Sequence, residues 1–301
     1  MRRSSPRSST GAEWVRAPAD STSAPAAASA GAVASDTPPD TSISTSDPAA
    51  PVDVSVPRDG TEPAGLAHHW RLSTVDVRPA AEHALLLTQL LDLNGLDIEQ
   101  AVSGIAVTSS VPLVTANLRQ MASRWFDVPA VVLEPGVKSG MPILYDNPKE
   151  VGADRIANAV GAYDLFGGPC VVVDLGTATT FDAISPAGEY LGGAITPGVA
   201  ISLDALFAHA AALRRVELVE PRSVIGKSTV ESIQSGALYG FAGQVDGLCR
   251  RFAAVLGECT VVATGGLSEL ISPYAEEIEY VEPWLTLHGL RIIFERNVPV
   301  S

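Results

Sequence analysis

From residue 66 onward, the chain alternates between short apolar runs and longer stretches in which apolar positions recur every three or four residues. The short runs, such as Ile105–Val111, Cys170–Asp174 and Thr260–Ala263, are rich in β-branched residues and predict strands. The longer stretches, such as Pro79–Leu93 and Thr229–Leu256, have the spacing of one helical face. This alternation is typical of an α/β protein.

The remaining predicted elements follow the same alternation. Further strands are predicted over 70–74, 130–133, 179–184 and 190–195, and further helices over 113–126, 151–166, 199–213 and 285–296. Between the two halves, Gly167, Gly168 and Pro169 predict a turn. We therefore expect a first domain at residues 66–168 and a second domain at residues 169–301.

The first 65 residues have a different composition. They contain no Leu, Phe or Tyr, and they hold nine of the 22 prolines among Ala, Ser, Thr and Asp residues. Such a stretch buries too little apolar surface to offset the backbone entropy that folding removes. We therefore expect residues 1–65 to form a disordered tail.

Charge and apolar content limit the classes of partner. The formal net charge is −14 at pH 7, which argues against nonspecific binding of nucleic acid. An anionic substrate would therefore need local cationic groups. No run approaches the roughly 18 apolar residues of a membrane-spanning helix, so we expect a soluble protein with no membrane partner.

The three cysteines, Cys170, Cys249 and Cys259, are odd in number and lack CxxC spacing. They lie in or beside apolar runs, which favours buried, reduced thiols over a zinc site or a disulfide framework. Because reduced thiols are typical of the cytoplasm, we expect the protein there.

The strongest chemical signal is the string Asp174-Leu-Gly-Thr-Ala-Thr-Thr180, which follows a predicted buried strand. Gly176 allows the backbone to approach a ligand, Thr177 offers a hydroxyl group, and Asp174 can hold a cation. This combination suits the phosphates of a nucleotide. An ordinary Thr-rich turn at the end of a strand remains the alternative.

A second candidate is Gly152-Ala153-Asp154-Arg155, at the predicted start of a helix. Asp154 can accept the proton of a substrate hydroxyl group, and Arg155 can hold a carboxylate or a phosphate. A solvated ion pair in the first helical turn is the alternative interpretation.

Two further strings are ambiguous by themselves. Gly226-Lys-Ser-Thr229 matches the end of a phosphate-binding P-loop, but Pro221 stands where the first glycine of that loop is required, which excludes it. We interpret Thr229 as the N-cap of the following long helix, with contact between its hydroxyl group and a ligand as the alternative. Thr264-Gly265-Gly266 follows a predicted strand and is either a backbone surface for adenine or ribose or a common strand exit.

Taken together and in order, these strings resemble the type III pantothenate kinases, and the resemblance extends from about residue 66 to residue 298. The strings that carry it are Tyr145-Asp-Asn-Pro, Gly152-Ala-Asp-Arg155, Asp174-Leu-Gly-Thr-Ala-Thr-Thr180, Arg222-Ser-Val-Ile-Gly-Lys-Ser-Thr229, Gln234-Ser-Gly236 and Thr264-Gly-Gly266.

The resemblance implies a fold, a reaction and a set of partners. The implied fold is an actin-like kinase with two ribonuclease-H-like domains and ATP in the cleft. The implied reaction is the phosphorylation of pantothenate to 4′-phosphopantothenate, the first step of coenzyme A synthesis. Members of the family are cytoplasmic homodimers that need Mg²⁺ and a monovalent cation, K⁺ or NH₄⁺.

The resemblance also assigns roles to residues. Asp154 would be the general base on the pantothenate hydroxyl group, and Asp174 would be the ligand of the monovalent cation. The implied pantothenate contacts are Tyr145, Gly152, Ala153, Asp154, Arg155 and, near the dimer interface, Thr229. The implied ATP-binding residues are Gly176, Thr177, Gly265 and Gly266.

The chain departs from the family pattern at its amino end. The family has a strand ending in Asp-x-Gly-Asn-Thr before the segment that is Trp70 to Thr74 here, and this chain has no such string. We therefore expect the first domain to lack its initial strands and its phosphate loop. One explanation of this departure is a misplaced start or a frameshift. The other is a catalytically impaired paralogue that binds a ligand or regulates a partner. A third hypothesis for the function keeps the actin-like fold and changes the substrate to a sugar or acetate.

Overall fold

The computed structural model describes residues 10–16, 27–33, 66–73, 75, 77–126, 128–210 and 213–298. The strands are β1 (Thr10–Arg16), β2 (Ala27–Val33), β3 (His68–Arg71), β4 (Gly104–Ser109), β5 (Ala130–Val132), β6 (Cys170–Leu175), β7 (Ala178–Ile184), β8 (Tyr190–Pro197), β9 (Thr260–Thr264) and β10 (Tyr280–Val281). The helices are α1 (Ala80–Leu93), α2 (Ile98–Ala101), α3 (Pro112–Trp125), α4 (Ala153–Phe166), α5 (Val199–His209), α6 (Thr229–Leu256), α7 (Ser268–Ile271) and α8 (Leu285–Asn297).

The described chain divides into two compact units, each with a five-stranded sheet. The second unit consists of Ala162–Pro283, and the first unit consists of the described residues before and after that segment. Counted within each unit, both sheets have the same strand order: third, second, first, fourth, fifth. The predicted fold class, an α/β protein with two domains of one kind, is confirmed.

The first sheet has the order β3-β2-β1-β4-β5. Strand β1 is antiparallel to both of its neighbours, whereas β2 and β3 are parallel, as are β4 and β5. Helices α1 and α3 share a buried core with β4, to which Leu87, Leu91, Leu118 and Ile105 belong. Leu87 and Leu91 lie four positions apart and so project from one face of α1.

Two segments of the expected disordered tail are strands in the structure. β1 and β2 belong to the first sheet, so this sheet does not lack its initial strands. The physical reason is that β4, almost entirely buried, has backbone groups on both edges that need partners, and strand pairing does not require large apolar side chains. The other positions of residues 1–65 lie outside the described residues, so the expectation of a disordered tail stays a prediction there.

The second sheet has the order β10-β9-β6-β7-β8. Strands β6, β7 and β8 form an antiparallel meander, while β6, β9 and β10 run parallel. The long helix α6 packs on one face of this sheet, where Val173, Phe181, Leu238 and Val245 are buried. The meander agrees with the three successive strands that the sequence predicts after residue 169.

The division between the units differs from the expected boundary at residues 168 and 169. The units separate after Gly161, within α4, and α8 belongs to the first unit rather than to the second. Gly289 of α8 lies against α4 so closely that a Cβ there would be 1.8 Å from the carbonyl oxygen of Ala157. Phe294 of α8 likewise packs over Gly104 at the start of β4. The close approach of these glycines, which no local pattern reveals, brings the last helix back to the first unit.

The sequence predicts that the three cysteines are buried, reduced thiols. Cys170 and Cys249 are buried, Cys259 is partly exposed, and all three are free thiols. Burial raises the pKa of Cys170 and of Cys249 to about 12, so both thiols stay protonated at neutral pH.

Across the part of the chain that the structure describes, no helix is both long and apolar enough to span a membrane.

Candidate active site

Helix α4 begins at Ala153, so the string Gly152-Ala153-Asp154-Arg155 forms its first turn, as the sequence predicts. The backbone N–H of Arg155 donates a hydrogen bond of 2.9 Å to Oδ1 of Asp154. A Cβ on Gly152 would lie 2.6 Å from that same oxygen. Only glycine at position 152 therefore leaves room for this placement of the Asp154 carboxylate.

The burial of this turn distinguishes the two interpretations of the string. Arg155 is buried, with 8% of its surface exposed, while Asp154 is partly exposed. Arginine is rarely buried to this degree. A solvated ion pair in the first helical turn is therefore not what the structure shows, and a buried guanidinium beside a partly open carboxylate is suited to recognising an anion.

Tyr145 lies in the loop that leads into α4, and 37% of its surface is exposed. The loop continues into a single 3-10 turn, Pro148–Glu150, which is held by a hydrogen bond of 2.6 Å from Asn147 Nδ2 to Glu150 Oε1. Val151 follows as a buried residue. The 3-10 turn thus connects the loop of Tyr145 to the start of α4, and all of these residues belong to the first unit.

The second unit brings two distant strings together around Asp174. Because β6 and β9 are parallel neighbours, Asp174 pairs with Thr264, and the next residues of both strands leave the same edge of the sheet. A Cβ on Gly265 would lie 2.4 Å from Oδ1 of Asp174, and a Cβ on Gly176 would lie 3.3 Å from it. The Asp174 carboxylate is therefore cradled by glycines from both strings.

The turn between β6 and β7 is closed by a hydrogen bond of 3.1 Å from the N–H of Gly176 to the carbonyl oxygen of Ala178. On its other side, Gly198 lies so close that a Cβ there would be 2.3 Å from the carbonyl oxygen of Thr177. The N–H of Gly198 donates to that oxygen at 3.2 Å. Sequence reasoning missed Gly198, although a Pro-Gly pair directly before a predicted helix was a usable signal.

The loop after β9 is tied to the same turn. The N–H of Leu267 donates to the carbonyl oxygen of Leu175 at 3.1 Å, and Ser268 Oγ donates to the carbonyl oxygen of Gly265 at 2.7 Å. Gly265 has a φ of +92°, which favours glycine, and Gly266 is exposed. Of the two predicted glycines, Gly265 is the one whose backbone shape the site requires.

Asp174 is the residue of this site whose carboxylate could hold a cation. This carboxylate lies at a partly exposed strand end, against Gly176 and Gly265. In the described chain, no group of three or more His, Cys, Asp or Glu side chains is arranged to hold a metal ion. Oxygen donors of low total charge suit a weakly bound hard cation rather than a closed transition-metal site.

Thr229 is not the N-cap of α6, contrary to our interpretation. Ser228 is the N-cap: its side chain accepts a hydrogen bond of 3.2 Å from the N–H of Glu231. Ser, Asp and Thr cap with similar ease, so the local sequence does not distinguish positions 228 and 229. Thr229 is instead the first residue of α6 and is exposed, which leaves its hydroxyl group outside the capping interaction.

The loop before α6 is held by buried polar side chains of the helix. Gln234 Nε2 donates to the carbonyl oxygen of Glu217 at 2.9 Å, and Ser235 Oγ donates to that of Val224 at 2.6 Å. A Cβ on Gly226 would lie 2.5 Å from the N–H nitrogen of Ser232. The string Gln234-Ser-Gly236 therefore serves to fix the loop that ends at Thr229.

An ion pair adds to this arrangement. Arg222 Nε lies 2.5 Å from Glu231 Oε1, and the N–H of Lys227 donates to Glu231 Oε2 at 3.0 Å. These two hydrogen bonds, that of Arg222 foremost, lower the pKa of the Glu231 carboxyl group. Glu231 thus links the loop to the first turn of α6, next to Thr229.

The predicted site residues fall into two groups. Tyr145, Gly152, Ala153, Asp154 and Arg155 belong to the first unit, and Asp174, Gly176, Thr177, Thr229, Gly265 and Gly266 belong to the second. Within the second group, the structure places Asp174, Gly176 and Gly265 directly together.

A sequence model described as type III pantothenate kinase matches residues 60–251 of the chain. That match covers more than half of the chain. The chain belongs to the type III pantothenate kinases. The resemblance drawn from the motifs is thereby confirmed.

Relatives in the type III pantothenate kinase family are similar over most of their length. The type III pantothenate kinase of Streptomyces griseus is 54% identical over 248 residues, which are 80% of this chain and 92% of the relative. That of Thermobifida fusca is 54% identical over 237 residues, or 77% of this chain and 92% of the relative. That of Moorella thermoacetica is 53% identical over 233 residues, or 77% and 91%.

A solved structure is also similar at a much lower level. The activator of the 2-hydroxyisocaproyl-CoA dehydratase from Clostridium difficile, with bound ADPNP, is 14% identical and has a TM-score of 0.32. The similarity covers 67% of this chain and 89% of the activator. A score this low supports no inference about the chain.

Membership of the type III pantothenate kinases covers both groups of site residues. Residues 145–229 lie inside the matched segment, so Asp154, Asp174 and Thr229 all fall within the part that defines the family. Gly265 and Gly266 lie beyond it. Their connection to the site rests on the contact between Gly265 and Asp174.

Proposed function

We propose that the chain transfers the γ-phosphoryl group of ATP to the 4′-hydroxyl group of pantothenate, the first step of coenzyme A synthesis. The observation that carries the proposal is the first turn of α4, where Gly152 leaves room for a partly exposed Asp154 carboxylate next to the buried Arg155. Family membership supplies the substrate class, since the relatives are named type III pantothenate kinases.

Asp154 is the general base in this proposal. The hydrogen bond from the Arg155 N–H to Oδ1 fixes the rotation of the carboxylate. The carboxylate can then accept the proton of the pantothenate hydroxyl group as that oxygen attacks phosphorus. Phosphoryl transfer depends mainly on positioning and on charge, so a fixed acceptor at the attacking oxygen is the main chemical contribution of the first unit.

Arg155, Tyr145, Gly152 and Ala153 bind and orient pantothenate. Pantothenate carries a carboxylate, and a buried guanidinium forms short, charge-assisted hydrogen bonds with such a group. Thr229 is a further contact from the loop that Gln234, Ser235 and Glu231 hold in place. Its exposed position at the start of α6 is compatible with that role.

The second unit holds the nucleotide. The turn at Gly176 and Thr177 offers backbone groups to the phosphates, and Gly265 with Gly266 offers a flat backbone surface to the adenosine. Asp174 would hold K⁺ or NH₄⁺, and Mg²⁺ would arrive with the phosphates of ATP. These cations supply positive charge that offsets the charge of the phosphates.

The test is an assay that follows ATP consumption and phosphopantothenate formation, with and without K⁺, for the wild type and for Asp154→Asn. We expect K⁺-dependent turnover that falls by at least about a hundredfold in the variant. Asp164→Asn makes the same change at an exposed position of α4 and should keep full activity. Equal turnover by Asp154→Asn and the wild type would contradict the assignment of the base.

A second candidate, an impaired paralogue that binds ligands without turnover, is favoured by one observation. In the second sheet the carboxyl ends of β6 and β9 lie together, as the pairing of Asp174 with Thr264 shows. In the first sheet β1 is antiparallel to β4, so Arg16 at the carboxyl end of β1 pairs with Gly104 at the amino end of β4. The carboxyl ends of these two strands therefore do not lie together as those of β6 and β9 do. Calorimetry that shows binding of ATP and pantothenate by a chain without turnover would favour this candidate.

We also propose a homodimer in the cytoplasm. Near Thr229, Val224, Ile225 and Val230 expose 62%, 75% and 48% of their surface, which is unusual for a cluster of aliphatic residues and fits a second copy of the chain. Light scattering on the purified chain tests this, and a monomer at all concentrations would contradict it. The free thiols support a reducing compartment.

A further inference from the structure

A buried carboxylate in the second sheet has no role in the proposed reaction. Asp182, in the middle of β7, has no exposed surface, and neither has Tyr190 of β8. The Tyr190 hydroxyl group donates a hydrogen bond of 2.7 Å to Asp182 Oδ1, and Thr180 Oγ1 donates one of 3.2 Å to Oδ2. Burying a carboxylate is costly, and hydrogen bonds from hydroxyl groups to both of its oxygens offset part of that cost.

The position of Asp182 connects it to the cation ligand Asp174. Asp182 and Thr180 are two residues apart on one strand, so their side chains lie on the same face of the sheet. Thr180 is the cross-strand partner of Asp174, and such partners have Cβ atoms about 4.5–5.5 Å apart. Thr180 therefore has Asp182 on one side and Asp174 on the other.

The direction of the hydrogen bond decides what Thr180 can offer to Asp174. A hydroxyl group has one proton and two acceptor lone pairs. Because the Thr180 proton is directed to Asp182, the oxygen presents lone pairs to its other neighbours. A lone pair beside a carboxylate is an unfavourable contact by itself, but the two oxygens become complementary when a cation lies between them.

We propose that Thr180 Oγ1 is a ligand of the monovalent cation beside Asp174, and that the buried Asp182 is the positioning residue that orients this oxygen. The inference rests on the proposed function, which assigns the cation to Asp174. The inference adds the Thr180 side-chain oxygen to the cation site at Asp174. It also gives the buried Asp182 carboxylate a role, which is to orient that oxygen.

The experiment measures how K⁺ stabilises the protein, independently of catalysis. The thermal unfolding temperature is recorded while K⁺ replaces choline at constant ionic strength, and the midpoint of the K⁺ effect is compared with the K⁺ concentration for half-maximal activity. Thr180→Val removes the oxygen at nearly constant volume, and Asp182→Asn weakens its orientation. Thr180→Ser keeps the hydroxyl group, and Tyr190→Phe removes the hydrogen bond to the other carboxylate oxygen.

We expect Thr180→Val and Asp182→Asn to raise the K⁺ midpoint in both readouts by at least about tenfold. Thr180→Ser should restore the wild-type midpoint. Tyr190→Phe should lower the unfolding temperature equally at all K⁺ concentrations and leave the midpoint unchanged. In the double variant of Thr180→Val and Asp182→Asn, the shift should not exceed that of Thr180→Val alone, because Asp182 acts through Thr180.

Unchanged K⁺ midpoints in Thr180→Val and Asp182→Asn would overturn the inference and leave Asp182 a structural carboxylate. If Asp182→Asn does not fold, the comparison of Thr180→Val with Thr180→Ser still decides whether the hydroxyl oxygen binds the cation. The proposed function fails separately, through the absence of phosphopantothenate formation by the wild type. A wild type that is neither activated nor stabilised by K⁺ would overturn the cation site itself and this inference with it.

Discussion

Gly265 lies directly against the carboxylate of Asp174: a Cβ at position 265 would be 2.4 Å from Oδ1. The two residues are far apart in sequence and meet because β6 and β9 are parallel neighbours whose carboxyl ends share one edge of the sheet. This contact joins the Asp-x-Gly-Thr turn and the Thr-Gly-Gly loop into one site. It also makes the glycine at 265 a direct probe of that site.

Replacing Gly265 by alanine should harm both folding and nucleotide binding. The new Cβ would overlap Asp174 Oδ1. The φ of residue 265 is +92°, a backbone conformation that favours glycine and strains alanine. We expect a loss of about 2–3 kcal/mol in the free energy of unfolding and a raised KM for ATP. Urea denaturation and steady-state kinetics measure the two effects.

Gly257→Ala is the matched control for that variant. Gly257, after the end of α6, also has a positive φ, of 85°, but nothing lies within 4 Å of a Cβ built there. Its ψ of −162° places it in a region that essentially only glycine occupies, so we expect a loss of about 1–3 kcal/mol through strain and an unchanged KM for ATP. An equal rise in the KM for ATP in both variants, or in neither, would contradict a role of the Gly265–Asp174 contact in nucleotide binding.

Replacing Gly152 by alanine should displace the general base. The new Cβ would lie 2.6 Å from Asp154 Oδ1, which forces the carboxylate to another rotamer. We expect kcat to fall by at least about tenfold with little change in unfolding temperature, because a misplaced base costs rate rather than stability. Gly240→Ala, at an open position of α6, is the control and should leave kcat unchanged. A kcat equal to that of the wild type in Gly152→Ala would argue against Asp154 as the base.

Replacing Ser235 by alanine should loosen the loop that carries Thr229. The variant loses the hydrogen bond of 2.6 Å to the carbonyl oxygen of Val224, which we expect to cost about 1 kcal/mol in the free energy of unfolding. The KM for pantothenate should rise while the KM for ATP stays constant. Ser232→Ala changes an exposed serine of the same helix and should alter neither value. A rise in the KM for ATP with an unchanged KM for pantothenate would indicate that the loop binds the nucleotide, which contradicts the prediction.

His83 should make the stability of the protein depend on pH. Burial, together with the charge of Arg78, lowers the pKa of His83 to about 4 in the folded state, compared with an ordinary value of 6.5. The unfolded chain therefore takes up a proton from about pH 6.5 downward while the folded chain stays neutral. The contribution to stability is complete above pH 6.5 and is lost as the pH falls toward 4.

The measurement is the free energy of unfolding between pH 4 and pH 7. We expect the wild type to lose about 2 kcal/mol more over this range than His83→Gln, which has no titrating group there. His209→Gln, at the exposed end of α5, should behave as the wild type. Parallel pH profiles for the wild type and His83→Gln would refute the assignment.

Much of the fold follows from local patterns. The predicted helix over Thr229–Leu256 has the observed bounds, and the predicted strand at Cys170–Asp174 is one residue shorter than β6. These elements have uninterrupted periodicity and clear ends, so short-range spacing is sufficient to identify them. The motifs at Gly152–Arg155 and Asp174–Thr180 were also visible, because each is a continuous string whose residues act together.

Other features were decided by packing between distant segments. The return of α8 to the first unit depends on Gly289 meeting Ala157, and the cradle of Asp174 depends on Gly265 and on the turn against Gly198. The choice of Ser228 rather than Thr229 as the N-cap depends on which hydroxyl reaches the N–H of Glu231. The strands β1 and β2, in a stretch of tail-like composition, occur because a neighbouring strand offers them backbone partners.

The sequence by itself thus determined the order and type of most elements, the family, and the chemistry of each motif. The tertiary structure alone decided which motifs touch, where the two units divide, and which buried groups support the site. The physical reason is that periodicity and capping act over a few residues, whereas a missing Cβ or a buried Asp182 acquires its meaning from atoms that the fold brings from elsewhere in the chain.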